Sequence, residues 1–342
     1  MKLIIYDKNH IKLDELTEFD DPIGIYTLNG VNKFTFTVPL NASKTNEQNL
    51  KLGNHLEFYE DGSLKWFGII VSRSFKNPTV TLSCYGYAFK LSTRRLRAKE
   101  YPTSTYGDLI AKMLDDVNAI SDTGIRMNVK DSSAKTTRIV QNKHFAWDKM
   151  TEYCEEMNYY ISIDEERKLN FQTIIEQPRD DYYIKWGYDE FDNVIKTPSV
   201  EQSLLEMANS VYGEVLTVDD VTISHEARDA ESIGSYGLLE GVVSFNDGVN
   251  QETTVVDAVE ESLSKRSWPL NTITVDIVDS IYAPLDDIKV GYMINVYFRD
   301  YFEFRESAKI LEITRNFKTK TATITLGQTI YRDQKPQIKI YK

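Results

Sequence analysis

Apolar and polar residues alternate with period two through much of the first ninety positions. Phe34, Phe36 and Val38 alternate with Lys33, Thr35 and Thr37, and Leu56 and Phe58 with His55 and Glu57. Val80, Leu82 and Cys84 alternate with Thr79, Thr81 and Ser83. This pattern predicts antiparallel strands with one buried and one wet face, and it places His55 on the wet one. Asp61-Gly62 between two such runs tolerates the positive φ of a hairpin turn. Residues 43–50 read as a short helix on a loop.

After Arg94-Arg95-Leu96-Arg97 the period becomes helical. Thr105 and Asp108 have capping-box spacing, and Leu109, Ile110, Met113, Leu114 and Val117 follow on one face. A second helix is predicted from Ala146 to Met157, with Trp147, Met150, Cys154 and Met157 on one stripe. A strand at 159–163, the acidic turn Asp164-Glu165-Glu166 and a return strand at 169–171 complete a small α/β unit. From Asn209 strands return, including 211–218, and Gly234-Ser235-Tyr236-Gly237 reads as a turn. A helix over 253–265 turns Val255, Val256, Val259 and Leu263 inward, before a strand at 272–278 and a last all-β stretch. Pro198, Pro269 and Pro284 punctuate the joins.

One pattern occurs twice. Residues 72–83, SRSFKNPTVTLS, align with 314–325, TRNFKTKTATIT, and five of twelve positions are identical, among them Arg73/Arg315, Phe75/Phe317 and Lys76/Lys318. Upstream, Gly53, Leu56 and Phe58 match Gly291, Ile294 and Val296. The offset grows from 238 to 242, which places four extra residues in the hairpin between the matched strands. The expected fold is mainly β with α+β insertions: two similar tube-like antiparallel β-barrels plus two inserted α/β subdomains. The first barrel spans 1–95 and the first insertion 96–195. The second barrel spans 196–225 and 285–342, around an insertion at 226–284. Three such chains in a closed ring present six similar units, so the expected device is a symmetry adaptor.

The 342 residues are consistent with two to three domains. A formal net charge of −12 argues against a protein that grips nucleic-acid phosphates. Cys84 and Cys154, the two cysteines, make no disulfide framework or zinc motif and read as buried small hydrophobes. No signal-peptide core is visible, and no run approaches the ~20 apolar residues of a membrane helix.

These residues resemble the tail-hub proteins of phages, including the prophage endopeptidase-tail or tail-associated-lysin group of Gram-positive siphoviruses, which takes in Listeria prophage tail proteins. The resemblance rests on Leu52-Gly53 with Trp66-Phe67-Gly68-Ile69-Ile70, on Cys84-Tyr85-Gly86-Tyr87-Ala88, and on Trp147 opening a helix that leads to Tyr159-Tyr160-Ile161 and Lys168-Leu169-Asn170-Phe171. Ser232-Ile233 with Tyr236-Gly237, and Val290-Gly291 with Ile324-Thr325-Leu326-Gly327, follow in order. It covers essentially the whole chain. It implies a homotrimeric baseplate or tail-tip hub in the virion, between a distal tail or tube protein above and a spike or fibre below, with phage DNA passing through. No matched residue carries over the group's endopeptidase label, and the chain ends about fifteen residues beyond Gly327.

Catalysis finds little support in the residues. There is no HExxH helix or GxSxG elbow, and the four histidines are His10, His55, His144 and His225. His144 and Cys154 stand roughly 15 Å apart along a helix, too far for a dyad. Asp115-Asp116, Asp164-Glu165-Glu166, Asp180-Asp181 and Asp286-Asp287 are the acidic groups from which a peptidoglycan-cleaving carboxylate pair would be drawn. No cofactor or metal is expected. A receptor- or glycan-binding module is the third class, with Tyr182, Tyr183, Trp186 and Tyr188 as its densest aromatic cluster. Arg94, Arg95 and Arg97 are a further candidate interface.

Overall fold

The computed structural model describes residues 1–97, 99–101, 104–130, 135–136, 139–141, 144–157, 159–173, 182–188, 192–217, 220–245, 251–299 and 304–327. The first strands are β1 (Lys2–Tyr6), β2 (Lys12–Leu16), β3 (Asp20–Thr27), β4 (Lys33–Pro39), β5 (His55–Glu60), β6 (Ser63–Lys76) and β7 (Thr79–Tyr85). Next come α1 (Ala88–Ser92), β8 (Lys99–Tyr101), β9 (Ser104–Thr105), α2 (Tyr106–Ile120), β10 (Arg126–Lys130), β11 (Lys135–Thr136) and β12 (Ile139–Gln141). They lead to α3 (Ala146–Met157), β13 (Tyr159–Ile163), β14 (Lys168–Thr173), β15 (Tyr183–Trp186), β16 (Ser199–Ser203), β17 (Ser210–Leu216) and β18 (Thr222–Arg228). The rest is α4 (Ala230–Tyr236), β19 (Glu240–Val243), α5 (Glu252–Arg266), β20 (Leu270–Val278), β21 (Met293–Phe298), β22 (Phe304–Asn316) and β23 (Thr321–Gly327).

Two units form. The first comprises Met1–Tyr183, Asp276–Ile294 and Ile310–Ile324; the second comprises Ile184–Val275, Asn295–Lys309 and the chain from Thr325. In the first, antiparallel pairing runs β2-β1-β5-β6-β7-β4-β3, and β22 adds antiparallel to β3. The expected alternation holds: Phe34, Phe36, Val38, Leu56, Phe58, Val80, Leu82 and Cys84 all face one core. Asp61 (φ 49°) and Gly62 (φ 80°) make the β5–β6 turn. Among the described residues no pairing closes these strands into a barrel.

The α/β part of the first unit follows its sequence signals. The Thr105 hydroxyl caps α2 by accepting from the Asp108 N–H at 3.1 Å, and Leu109, Ile110, Met113, Leu114 and Val117 are buried. They share a core with Trp147, Met150 and Cys154 of α3 and with the β13–β14 hairpin. Cys84 and Cys154 are buried and unbridged, and burial pushes both thiols up from their usual pKa. The Met157 side chain and Val218 lie outside the described residues.

Two local expectations fail for one physical reason: short polar side chains capture backbone groups. Residues 43–50 form turns, not a helix. There Asn46 Oδ1 accepts from the Asn49 N–H, while Asn49 Nδ2 donates to the Lys44 carbonyl and to Asp14. Conversely, 234–237 is the end of α4 rather than a free turn. Asp229 caps that helix by accepting from the Ser232 N–H, and Gly237 (φ 81°) stops it.

In the second unit β18-β17-β19 form a sheet with α5 on one face, Val259 and Leu263 packing on Val211 and Ala227. β16 pairs antiparallel with β20. No described helix is long and apolar enough to cross a membrane.

Candidate assembly surface

The two matched segments share a backbone device. Gly53 (φ 88°) donates its N–H to the Ile70 carbonyl at 2.8 Å, and Ile70 donates back to Asn54 at 2.9 Å. Gly291 (φ 90°) donates to Ile310 at 2.7 Å, and Ile310 donates back to Tyr292 at 2.8 Å. Only glycine adopts this left-handed conformation without a Cβ penalty, which explains its presence at both positions. Leu56 and Phe58, like Ile294 and Val296, are buried. Ile70 and Ile310 differ by 240, midway between the two sequence offsets, so two extra residues enter before that bond and two along the strand after it. The expected single four-residue insertion is corrected accordingly.

The matched Arg-x-Phe-Lys triplets meet different surroundings. Arg315 is 7% exposed; it donates to Glu60 at 2.9 Å and to Asp286 at 2.7 Å, and its guanidinium lies 4.5 Å from the Phe317 ring centroid. Phe317 is 1% exposed and packs on Phe58 and Phe34. Lys318 pairs with Asp20 at 2.9 Å. Partial burial would raise the Asp286 pKa, but hydrogen bonds from Lys65 and Arg315 hold it below the usual carboxylate range. Arg73, by contrast, pairs with the exposed Glu47, Phe75 is 62% exposed, and Lys76 is exposed. The difference comes from β3. It flanks β22 from Glu312 to Asn316, while residues 72–76 of β6 have β7 on one side and no described strand on the other.

The remaining expected interface residues divide. Arg95 and Arg97 are exposed, and Arg94 donates to the Ser121 hydroxyl at 3.3 Å. Tyr182 is buried and donates to Asp287 at 2.5 Å, and Tyr183 stacks on Tyr282 at 4.7 Å, so both rings serve the first unit itself. Trp186 is half-buried. Tyr188 lies between Lys185 and Arg299, whose cationic groups stand 5.0 and 5.6 Å from its ring.

His55 corrects the expectation of a solvated side chain. It is 3% exposed, its ring lies 3.8 Å from that of His10, and its Nδ1 is 3.1 Å from the Tyr87 hydroxyl. Tyr6, Asp7, Lys8, Glu57, Lys90 and Arg167 surround the pair. Burial lowers the His55 pKa to about 3, helped by the nearby His10, Lys90 and Arg167 charges. Burial also lowers His10, with Arg167 and Lys90 adding to it. No periodicity rule exposes this cluster, because the turn carrying His10 folds over the polar face of β5.

Several of the acidic residues have partners elsewhere in the fold. Asp116 accepts from Tyr101, Glu166 pairs with Lys168, and Asp286 with Arg315 and Lys65. Asp180-Asp181 lie outside the described residues. His144 is exposed while Cys154 is buried, and among the described residues no three His, Cys, Asp or Glu side chains converge as a metal site.

A family model described as YQBQ-like matches residues 27–328. No curated protein matches the sequence. Three solved structures share the fold at low identity. Prophage tail protein gp18 from Listeria monocytogenes EGD-e is 14% identical, with a TM-score of 0.65 over 96% of this chain and 95% of that one. The 43 kDa tail protein of prophage MuSo2 from Shewanella oneidensis is 12% identical, with a TM-score of 0.69 over 95% and 98%. The tail protein from Neisseria meningitidis MC58 is 13% identical, with a TM-score of 0.71 over 95% and 96%.

Proposed function

The chain belongs to the YQBQ-like family, and we propose on that basis that it is a structural component of a phage or prophage tail. Specifically, it is a homotrimeric hub of the tail tip or baseplate that adapts a six-fold tail tube to a three-fold spike or fibre. The observation that carries this reading is the repeated glycine-anchored hairpin, at Gly53 and again at Gly291, in a chain that has the fold of prophage tail proteins along nearly its whole length. Two similar sheet modules per chain give three chains six similar positions. The first module lies within 1–95; the second draws on β15, β16 and β20 as well as β21, β22 and β23, while β17, β18 and β19 pair with one another under α5.

The role is mechanical rather than catalytic. The partners are two further copies, a distal tail or tube protein above, and a spike or fibre below. DNA passes through the ring without specific binding, and the net charge of −12 favours a wall that repels phosphates. The protein is made in the bacterial cytoplasm and works at the virion tail tip. Sedimentation equilibrium over a wide concentration range tests the reading. The expected species has three times the 39.5 kDa chain mass. A protein that stays monomeric throughout, including beside its tail partners, contradicts it.

A further inference from the structure

The strand order of the chain repeats. The succession β3-β4-β7-β6-β5-β1 recurs as β16-β20-β23-β22-β21-β15. Side chains fix the correspondence: the Thr81 hydroxyl lies 3.2 Å from that of Thr37, and the Thr323 hydroxyl donates to Asp276 at 2.5 Å, so position 276 corresponds to 37. Carried through the β3–β4 and β16–β20 registers, this matches Ile23 with Ser199, Gly24 with Val200 and Ile25 with Glu201. It also matches Pro22 with Pro198, the same residue type.

The two rows differ where β22 meets β3. On β22, Thr314 faces Ile25, Arg315 faces Gly24 and Asn316 faces Ile23, and the Phe317 N–H donates to the Pro22 carbonyl at 3.1 Å. The matching edge of β6, residues 72–75, faces no strand among the described residues. β16, the counterpart of β3, ends its row and pairs with β20 alone among the described strands. Among the described residues each chain therefore keeps one open edge of each kind, and an unpaired row of N–H and C=O groups is a template for another strand.

The geometry points to a second copy of this chain as the occupant of both edges. Residues 72–75 of one protomer run antiparallel to 198–201 of the next, with Ser72 opposite Glu201, Arg73 opposite Val200 and Ser74 opposite Ser199. The Phe75 N–H donates to the Pro198 carbonyl, as Phe317 does to Pro22. This assignment rests on the three-fold reading above and names its joining surfaces. The contact is head-to-tail, so three protomers close it and leave neither edge open. The ion pairs around Arg315 do not recur, because Glu60 corresponds to Phe298. Main-chain bonds and the covering of Phe75 carry the joint.

A mixed disulfide tests the pairing. By alternation from the Phe317–Pro22 bond, Asn316 and Ile23 are a non-hydrogen-bonded pair, the cross-strand type with Cα atoms about 4.5 Å apart, within disulfide range. Chains carrying Ser74→Cys and chains carrying Ser199→Cys, differently tagged, are co-expressed and oxidised; the native cysteines are buried. A disulfide-linked species bearing both tags is expected, and it is lost when the second cysteine is moved to Gln202. A trimer that forms no mixed disulfide, or that cross-links equally at 199 and 202, overturns this pairing and leaves the three-fold reading intact. A wild-type protein that is monomeric at every concentration overturns both.

Discussion

Replacing Phe317 with alanine is expected to cost about 3–5 kcal/mol of folding stability, whereas the same change at the matched Phe75 should stay within about 0.5 kcal/mol. The two residues sit in near-identical sequence. Phe317 is enclosed by Phe34, Phe58 and their neighbours in a close-packed core, so its removal leaves a cavity. Phe75 is solvated in the free chain, so alanine leaves none. The arginines follow suit. Arg315→Ala strands the buried Glu60 carboxylate and should cost about 3–5 kcal/mol. Arg73→Ala breaks a pair with an exposed partner, worth at most about 1 kcal/mol. Urea unfolding at concentrations low enough to keep the chain monomeric makes the comparison. Equal costs at 75 and 317 would show that β22 does not seat Phe317 in the first sheet's core.

Acidification should weaken the protein through His55. A histidine held neutral in the fold has a folded pKa below its unfolded value near 6.5. The unfolded chain then binds a proton that the folded chain refuses. Stability is fully present above pH 6.5 and is lost as pH falls from there towards the folded pKa of about 3. One such group removes about 2 kcal/mol between pH 7 and pH 5. His55→Gln keeps a polar side chain beside Tyr87 without the titration, so the wild-type minus variant difference should shrink on acidification by that amount. A difference independent of pH between 7 and 5 would place His55 in water.

Local regularities made much of the fold legible. The alternation in β4, β5 and β7, the Thr105 cap and the helical stripe of α2 depend on neighbours a few residues away, and each formed where its residues required. What escaped was long-range. Phe75 and Phe317 have the same local pattern, and only the pairing of β22 with β3, nearly three hundred residues apart in sequence, separates an exposed ring from a core ring. His55 sits on the polar side of its strand, yet the turn holding His10 covers it.

The chain's two sheet modules share one strand succession and one glycine-anchored bond pattern, and the proposed hub rests on three copies placing these modules alternately around a ring. Single-particle cryo-electron microscopy of the assembled oligomer tests this most directly. The account predicts a three-fold map in which amino- and carboxy-terminal modules alternate at six near-equivalent positions around a channel lined by Asp and Glu. A particle with the two modules at different radii, or with a basic channel wall, would contradict it.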